Sequence, residues 1–377
     1  MRIVIAPDSF KESMSAADAA AAIARGVRAV LPDAECVLVP MADGGEGTTA
    51  ALVAALGAGL RRVRTQDALG RPIDAAYGLT TDGLAIIEVA AAVGIGLVAP
   101  QERDIMRSSS RGVGDLVLDA LDAGATRLIV GLGGSVTTDG GAGLLQRLGV
   151  VLLADDGAAL PATPDGLARL ARVDLSGLDP RVGPLAIDVA SDVTNPLLGP
   201  TGAAAVFGPQ KGATAEQVPL LEAALTRLAD ALVAAGAPDV RDVPGAGAAG
   251  GLGAAFLWLG GRIRRGVEVV AETARLEAHV RGADLVITGE GSIDSQTLSG
   301  KTPVGVAAVA GRLGVPVIAF GGRVGPDADT LLDHGFAAIV PIMREPADLP
   351  TALAQGAANL EAAAATAMRL HVLGRGR

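Results

Sequence analysis

Six glycines within thirteen residues, Gly131 to Gly143, constrain this chain more than any other stretch. They sit between an apolar branched run, Leu128-Ile129-Val130, and leucines at helical spacing, Leu144, Leu145 and Leu148. The spacing predicts a buried strand, a glycine-rich loop and a helix, the unit from which α/β sheets are built. Such a loop lets backbone N–H groups approach an anion, and a helix N-terminus adds a favourable dipole. Ser135, Thr137 and Thr138 bring hydroxyls to the same loop, and Asp139 a carboxylate within reach of a metal ion. A tight turn with no ligand is the competing reading.

Several function classes fall away on composition. Net charge is −10 and no basic cluster forms a nucleic-acid footprint. Mean hydropathy is +0.44, yet no uninterrupted apolar run reaches the roughly 18 residues of a membrane span. Met1 to Ile5 leads into a charged loop rather than a signal-peptide core. A cytoplasmic protein without nucleic-acid or membrane partners is the expectation. Cys36 is the single cysteine and falls in an apolar strand, so neither a disulfide nor a cysteine metal site is open to the chain. His279, His334 and His371 lie far apart with no nucleophile pattern beside them, which leaves serine-hydrolase and histidine-metal chemistry without support.

Strand ends elsewhere carry polar residues, the positions where open α/β sheets place ligands. Arg2 to Ala6 reads as a strand ending at Asp8, Ser9 and Lys11, with Ser15 capping an alanine-rich helix over 16–30. Glu35 to Pro40 opens into Asp43-Gly44-Gly45-Glu46, two acids around a glycine pair, suited to magnesium or to hydroxyls. Glu46 could equally serve only the helix that follows. From Leu60 to Val98 the texture changes to short strands separated by turn signals, which predicts an antiparallel insertion. Arg111 follows a serine run, Asp192 and Asn195 follow the strand over 185–189, and Lys211 sits in a turn as a point charge suited to phosphate. Gly247 to Gly253 is a second glycine concentration. The strand over 284–288 leads to Glu290, Asp294 and Lys301 in a loop. Two nucleotide fingerprints fail. Ser295 to Thr302 lacks the first P-loop glycine, and the run from Gly131 lacks the last dinucleotide glycine. Acids, a glycine-rich anion loop and lysines together suit phosphoryl transfer from a magnesium nucleotide, a chemistry of positioning and charge neutralisation.

In seven blocks and in one order the chain resembles the bacterial glycerate kinases of glyoxylate and sugar-acid metabolism. The blocks are Ala6 to Ser13, Ala42 to Thr48, Gly131 to Gly143, Ser191 to Leu197, Phe207 to Ala213, Gly247 to Gly253 and Thr288 to Lys301. The family usually has Ala-Thr-Asn where Val136-Thr137-Thr138 stands, and Tyr where Arg111 stands. The resemblance implies ATP-dependent phosphorylation of D-glycerate to 2-phosphoglycerate with Mg2+. It also implies two α/β domains with a cleft between them: a discontinuous Rossmann-like parallel-sheet domain, 1–60 with 275–377, and an inserted mixed α/β domain, 61–274. On that basis Gly133, Gly134, Ser135, Thr137, Thr138, Asp139, Gly140 and Gly141, with Lys211 and Lys301, are assigned to the nucleotide. Asp43 and Glu46 are assigned to magnesium. Asp8, Ser9, Arg111, Asn195, Glu290 and Asp294 are assigned to glycerate. Asp192 is expected to orient or deprotonate the attacking hydroxyl, Lys11 and Asp43 are the other expected catalytic residues, and Lys11 or Arg111 is expected to meet the glycerate carboxylate. A monomer or homodimer is expected. Two other readings stay open, a kinase of another sugar-derived hydroxy acid and a catalytically silent nucleotide-binding protein.

Overall fold

The structure, a computed structural model, describes residues 1–375. It divides into two compact units, Met1–Asp43 with Ala50–Gly57 and Val267–Arg377, and Gly44–Thr49 with Ala58–Gly266. The expected boundaries put all of 1–60 in one unit. The short segment Gly44–Thr49 instead joins the second, where the Glu88 carboxylate accepts the N–H groups of Gly47 at 3.3 Å and Thr49 at 2.6 Å.

The first unit is built on a five-stranded parallel sheet. Its spatial order is Phe336–Pro341, Val317–Val324, Leu285–Ile293, Arg2–Ile5 and Glu35–Leu38. Ile3, Val4 and Ile5 are fully buried, as a central parallel strand covered on both faces requires. On one face the helices Ala16–Arg28 and Gly356–Arg375 pack together through small side chains, with Ala20, Ile23, Leu360 and Met368 in the core. Ser15 caps the first of these by accepting the Asp18 N–H, as its sequence predicts. The helix Thr302–Arg312, with Pro303 in its first turn, packs against the strands Leu285–Ile293 and Val317–Val324. One local expectation is overturned: residues 289–293 are not a loop. The strand runs on to Ile293, with Glu290 paired to Gly321, because the neighbouring strand also continues through its own glycines to Val324.

The second unit holds a six-stranded mixed sheet in the order Arg262–Arg264, Ala186–Ala190, Arg127–Gly131, Leu84–Glu88, Pro72–Leu79 and Gly59–Gln66. The two outermost strands on the Gly59–Gln66 side pair antiparallel, in line with the turn-rich sequence there. Leu84–Glu88 differs from that expectation on its other edge, where it pairs parallel with Arg127–Gly131. The strand entering the glycine-rich loop is therefore central and buried, with Leu128, Ile129 and Val130 at 4% exposure or less. Among the described residues no helix is long and apolar enough to cross a membrane.

Candidate active site

The glycine-rich loop leaves the strand Arg127–Gly131 at its carboxyl end and turns into the short helix Ala142–Arg147. Its order comes from within. The Asp139 side chain is wholly buried. One of its oxygens accepts the Ser110 N–H at 2.7 Å, the Ser110 hydroxyl at 2.8 Å and the Gly143 N–H at 3.1 Å; the other accepts the Gly141 N–H at 3.1 Å. Burial pushes the Asp139 carboxyl above its usual range, and these four donors pull against that. The Ser110 hydroxyl in turn accepts the Leu144 N–H at 3.0 Å. The N–H groups that the sequence offers to an external anion at Gly141, Gly143 and Leu144 are thus satisfied by the chain's own side chains. Ser110 escaped the sequence reading, and only its place in the serine run 108–110 signalled a polar role.

A second glycine run backs the loop. Ala249, Gly250 and Gly251 all hold left-handed backbone, with φ of 52°, 70° and 94°, and the Gly250 carbonyl accepts the Gly140 N–H at 3.0 Å. A Cβ on Gly250 would stand 2.0 Å from the Thr137 carbonyl oxygen. Gly247 to Gly253 is therefore a packing surface for the loop rather than a flexible connection. Thr137 and Thr138 are fully buried, and neither hydroxyl has a hydrogen-bond partner among the described residues.

Lys211 closes the loop from the side. It ends a short turn, Pro209–Lys211, followed by Gly212 in left-handed backbone. The side chain is 2% exposed, and its Nζ donates to the Ser135 hydroxyl at 3.0 Å and to the Thr137 carbonyl at 2.7 Å. Burial lowers its pKa to about 7, against the pull of the Asp139 charge. Beside it lies a pocket of about 310 Å³ walled by Gly133, Gly134, Ser135 and Lys211 on one side and by apolar groups including Ile95 and Phe207. In the same unit Asp192 is exposed just past the strand Ala186–Ala190, accepting the Gly266 N–H at 3.2 Å. Asn195 donates to the Thr201 carbonyl at 2.8 Å. Arg111 is exposed at the start of the helix Arg111–Asp122, and Glu46 is exposed as well.

The first unit gathers a different cluster at the ends of its central strands. Asp8 is 8% exposed; it accepts the Ser9 N–H at 2.6 Å and the Thr302 hydroxyl. Burial, with the Asp43 charge adding to it, raises its pKa to about 6. Glu290, also 8% exposed, accepts the Thr297 hydroxyl at 2.8 Å and faces Lys301 Nζ at 3.6 Å. Burial lifts its pKa to about 7, with Lys301 opposing. Two carboxyls that change charge near neutrality are suited to proton handling or to hydroxyl recognition. Thr297 and Thr302, which orient them, lie within the failed P-loop match, whose pattern gives no sign of this role. Asp294 caps the turn Ser295–Ser299, accepting the Gln296 N–H at 3.0 Å, and lies 3.7 Å from Arg323. Lys11 is exposed and Ser9 half-buried.

Magnesium has no ready-made cage. Among the described residues no three Asp, Glu, His or Cys side chains are grouped to hold a metal ion.

Residues 3–372 match the glycerate kinase family. The glycerate 2-kinase of Escherichia coli K12 is 46% identical over 345 residues, 91% of each chain. The glycerate kinase of Bacillus subtilis 168 is 46% identical over 363 residues, 96% of this chain and 95% of its own. A crystal structure from Salmonella typhimurium LT2, described as a glycerate kinase 2, superposes with a TM-score of 0.92 at 45% identity, covering all of both chains. With its two α/β sheets, its glycine-rich loop and these relatives along its whole length, the chain belongs to the glycerate kinase family.

Proposed function

We propose that the chain transfers the γ-phosphoryl group of ATP to D-glycerate, giving 2-phosphoglycerate and ADP. The observation that carries this reading is the pinned lysine: Lys211 lines a pocket together with the glycine-rich backbone of Gly133 and Gly134 and with Ser135, to which it is bonded. A positioned lysine beside accessible backbone suits a polyphosphate, whose negative charge favours the protonated ammonium. Lys301 is proposed to offset further phosphate charge. Asp43 and Glu46 are the carboxylates proposed to share magnesium brought by the nucleotide, which supplies charge neutralisation. For glycerate, Lys11 or Arg111 is assigned to the carboxylate, and Asp8, Ser9, Asn195, Glu290 and Asp294 to the hydroxyls.

In the transfer step the glycerate O2–phosphorus bond forms while the β,γ-bridging oxygen–phosphorus bond breaks. The hydroxyl proton passes to Asp192. Phosphorus NMR after incubation with D-glycerate and MgATP tests the reaction. A new phosphomonoester matching 2-phosphoglycerate is expected, and absence of any glycerate phosphate refutes the reading. For the role of Asp192, turnover of Asp192→Asn is expected to fall about 10²-fold. Turnover within about threefold of the unmodified chain would remove Asp192 from the mechanism.

A further inference from the structure

The first unit has a second pocket, of about 300 Å³, lined by Met343, Arg344, Glu345, Ala347, Gln355 and Asn359. It forms where the loop after the strand Phe336–Pro341 meets the first turn of the helix Gly356–Arg375. None of these residues belongs to the catalytic or nucleotide assignments above.

Asn359 is the informative residue. It is 9% exposed, and its side-chain amide has no hydrogen-bond partner among the described residues, yet it lines the pocket. Its helix is otherwise rich in alanine, with Ala357, Ala358, Ala362, Ala363, Ala364 and Ala365 around it. An asparagine there is a poorer helix former than alanine, and its amide is not sealed in the core but opens toward the pocket. The fold gains nothing visible from it, so a group entering the pocket is the natural partner.

The surroundings say which group. Arg344 and Glu345 have no ion-pair partner among the described residues, nor does the Gln355 amide have a hydrogen-bond partner there. The amino-terminal end of a 20-residue helix adds a dipole favourable to negative charge. The frame is fixed on both sides. The Ile342 N–H bonds to the Gly321 carbonyl at 3.0 Å, and the Ser13 hydroxyl donates to the Leu353 carbonyl at 2.7 Å. Gly356 opens the helix where a Cβ would lie 2.2 Å from the Ser13 oxygen, so that turn cannot move outward without losing its seat. One guanidinium, one carboxylate and two amides within a small pocket match a ligand with a carboxylate and a neighbouring donor.

We infer that this pocket is a binding site for a small carboxylic acid with a hydroxyl or amino group beside the carboxylate. The carboxylate is received by Arg344 and the Asn359 and Gln355 amides, and its donor group by Glu345.

Isothermal titration of the full chain with D-glycerate, L-serine and inorganic phosphate tests this. At least one of the two acids is expected to show a binding event with Kd of about 1 mM or tighter. That event weakens at least tenfold in both Asn359→Leu and Arg344→Met and persists in Lys211→Met. Heat from glycerate alone assigns the hydroxy acids, and from serine alone the amino acids. Absence of binding by both acids, survival of every event in both pocket variants, or equal binding of phosphate at the same residues overturns the inference. Arg344→Met changes a surface side chain, so the test stands even where Asn359→Leu unfolds.

Discussion

Replacing Asp139 by asparagine should destabilise the second unit by about 3 kcal/mol. The carboxylate serves four donors, three on one oxygen and one on the other. An asparagine placed to keep the three must turn its NH2 toward the Gly141 N–H, leaving that donor buried and unmet at a cost of about 1–3 kcal/mol. The three bonds that survive lose their charge assistance, roughly 1 kcal/mol each, since bonds to charged groups are worth about 1.5–3 and neutral ones about 0.5–1.5 kcal/mol. Against this, a buried charge is removed, and burial already raises the pKa of this group, so part of the loss is returned.

Urea unfolding followed by circular dichroism measures the change. In a chain of this size it corresponds to a Tm lower by about 6–12 °C, at roughly 2–4 °C per kcal/mol. Ser110→Ala supplies the cross-check, because Ser110 shares the network through its hydroxyl and its bond from Leu144. Asp139→Asn combined with Ser110→Ala should cost at least about 1 kcal/mol less than the two changes summed, as expected of residues in one hydrogen-bond network. A loss under about 1 kcal/mol for Asp139→Asn, with additive behaviour in the double variant, refutes the view that this carboxylate organises the loop. A carboxylate working instead on a nucleotide-borne metal would leave stability unchanged and raise KM for ATP.

Thr138→Val removes a buried hydroxyl without a partner in nearly the same shape, and the unfolding free energy from urea titration should rise by about 1 kcal/mol; a fall of that size would mean the hydroxyl has a structural partner. Gly250→Ala should cost about 2–5 kcal/mol in the same measurement, from left-handed strain and the 2.0 Å approach to the Thr137 carbonyl; a cost below 1 kcal/mol would show that the loop yields easily. Glu290→Gln tests the sign of a raised pKa. The folded state holds that proton up to pH about 7, so the cost of ionising Glu290 is absent below pH about 4.5 and fully present above about 7. Relative to the unmodified chain, the variant should therefore gain on the order of 3 kcal/mol between pH 4.5 and 8. A difference independent of pH would rule out the shift.

Much of the frame is legible in the amino-acid order because it rests on apolar pattern and local caps. Ile3 to Ile5 and Leu128 to Val130 are unbroken branched runs, and both became buried central strands. Ser15 stands just before an alanine-rich stretch and caps it. Strand ends were harder to read. Gly289 and Gly291 around Glu290 look like a loop, and only the neighbouring strand, itself rich in glycine at Gly321 and Gly322, supplies the ladder that carries pairing on to Ile293.

The direction of polar side chains is where sequence order says least. Asp139 between a threonine and two glycines reads the same whether it faces a ligand or its own backbone. Ser110, 29 residues earlier, decides that it faces inward. Lys211 in a turn reads as a free charge, and three-dimensional packing pins it to Ser135 and the Thr137 carbonyl. The loop's residues therefore divide by what already holds them. Asp139, Gly141 and Gly143 are committed to one another and to Ser110. Gly133, Gly134, Ser135 and Lys211 line the pocket. Thr137 and Thr138 bury hydroxyls with no partner among the described residues. A ligand entering the pocket meets the pocket-lining four, while those two hydroxyls lie sealed behind them. Phosphate contact should accordingly concentrate at Gly133 to Ser135 and Lys211, and Asp139 should act by keeping the loop behind them in shape.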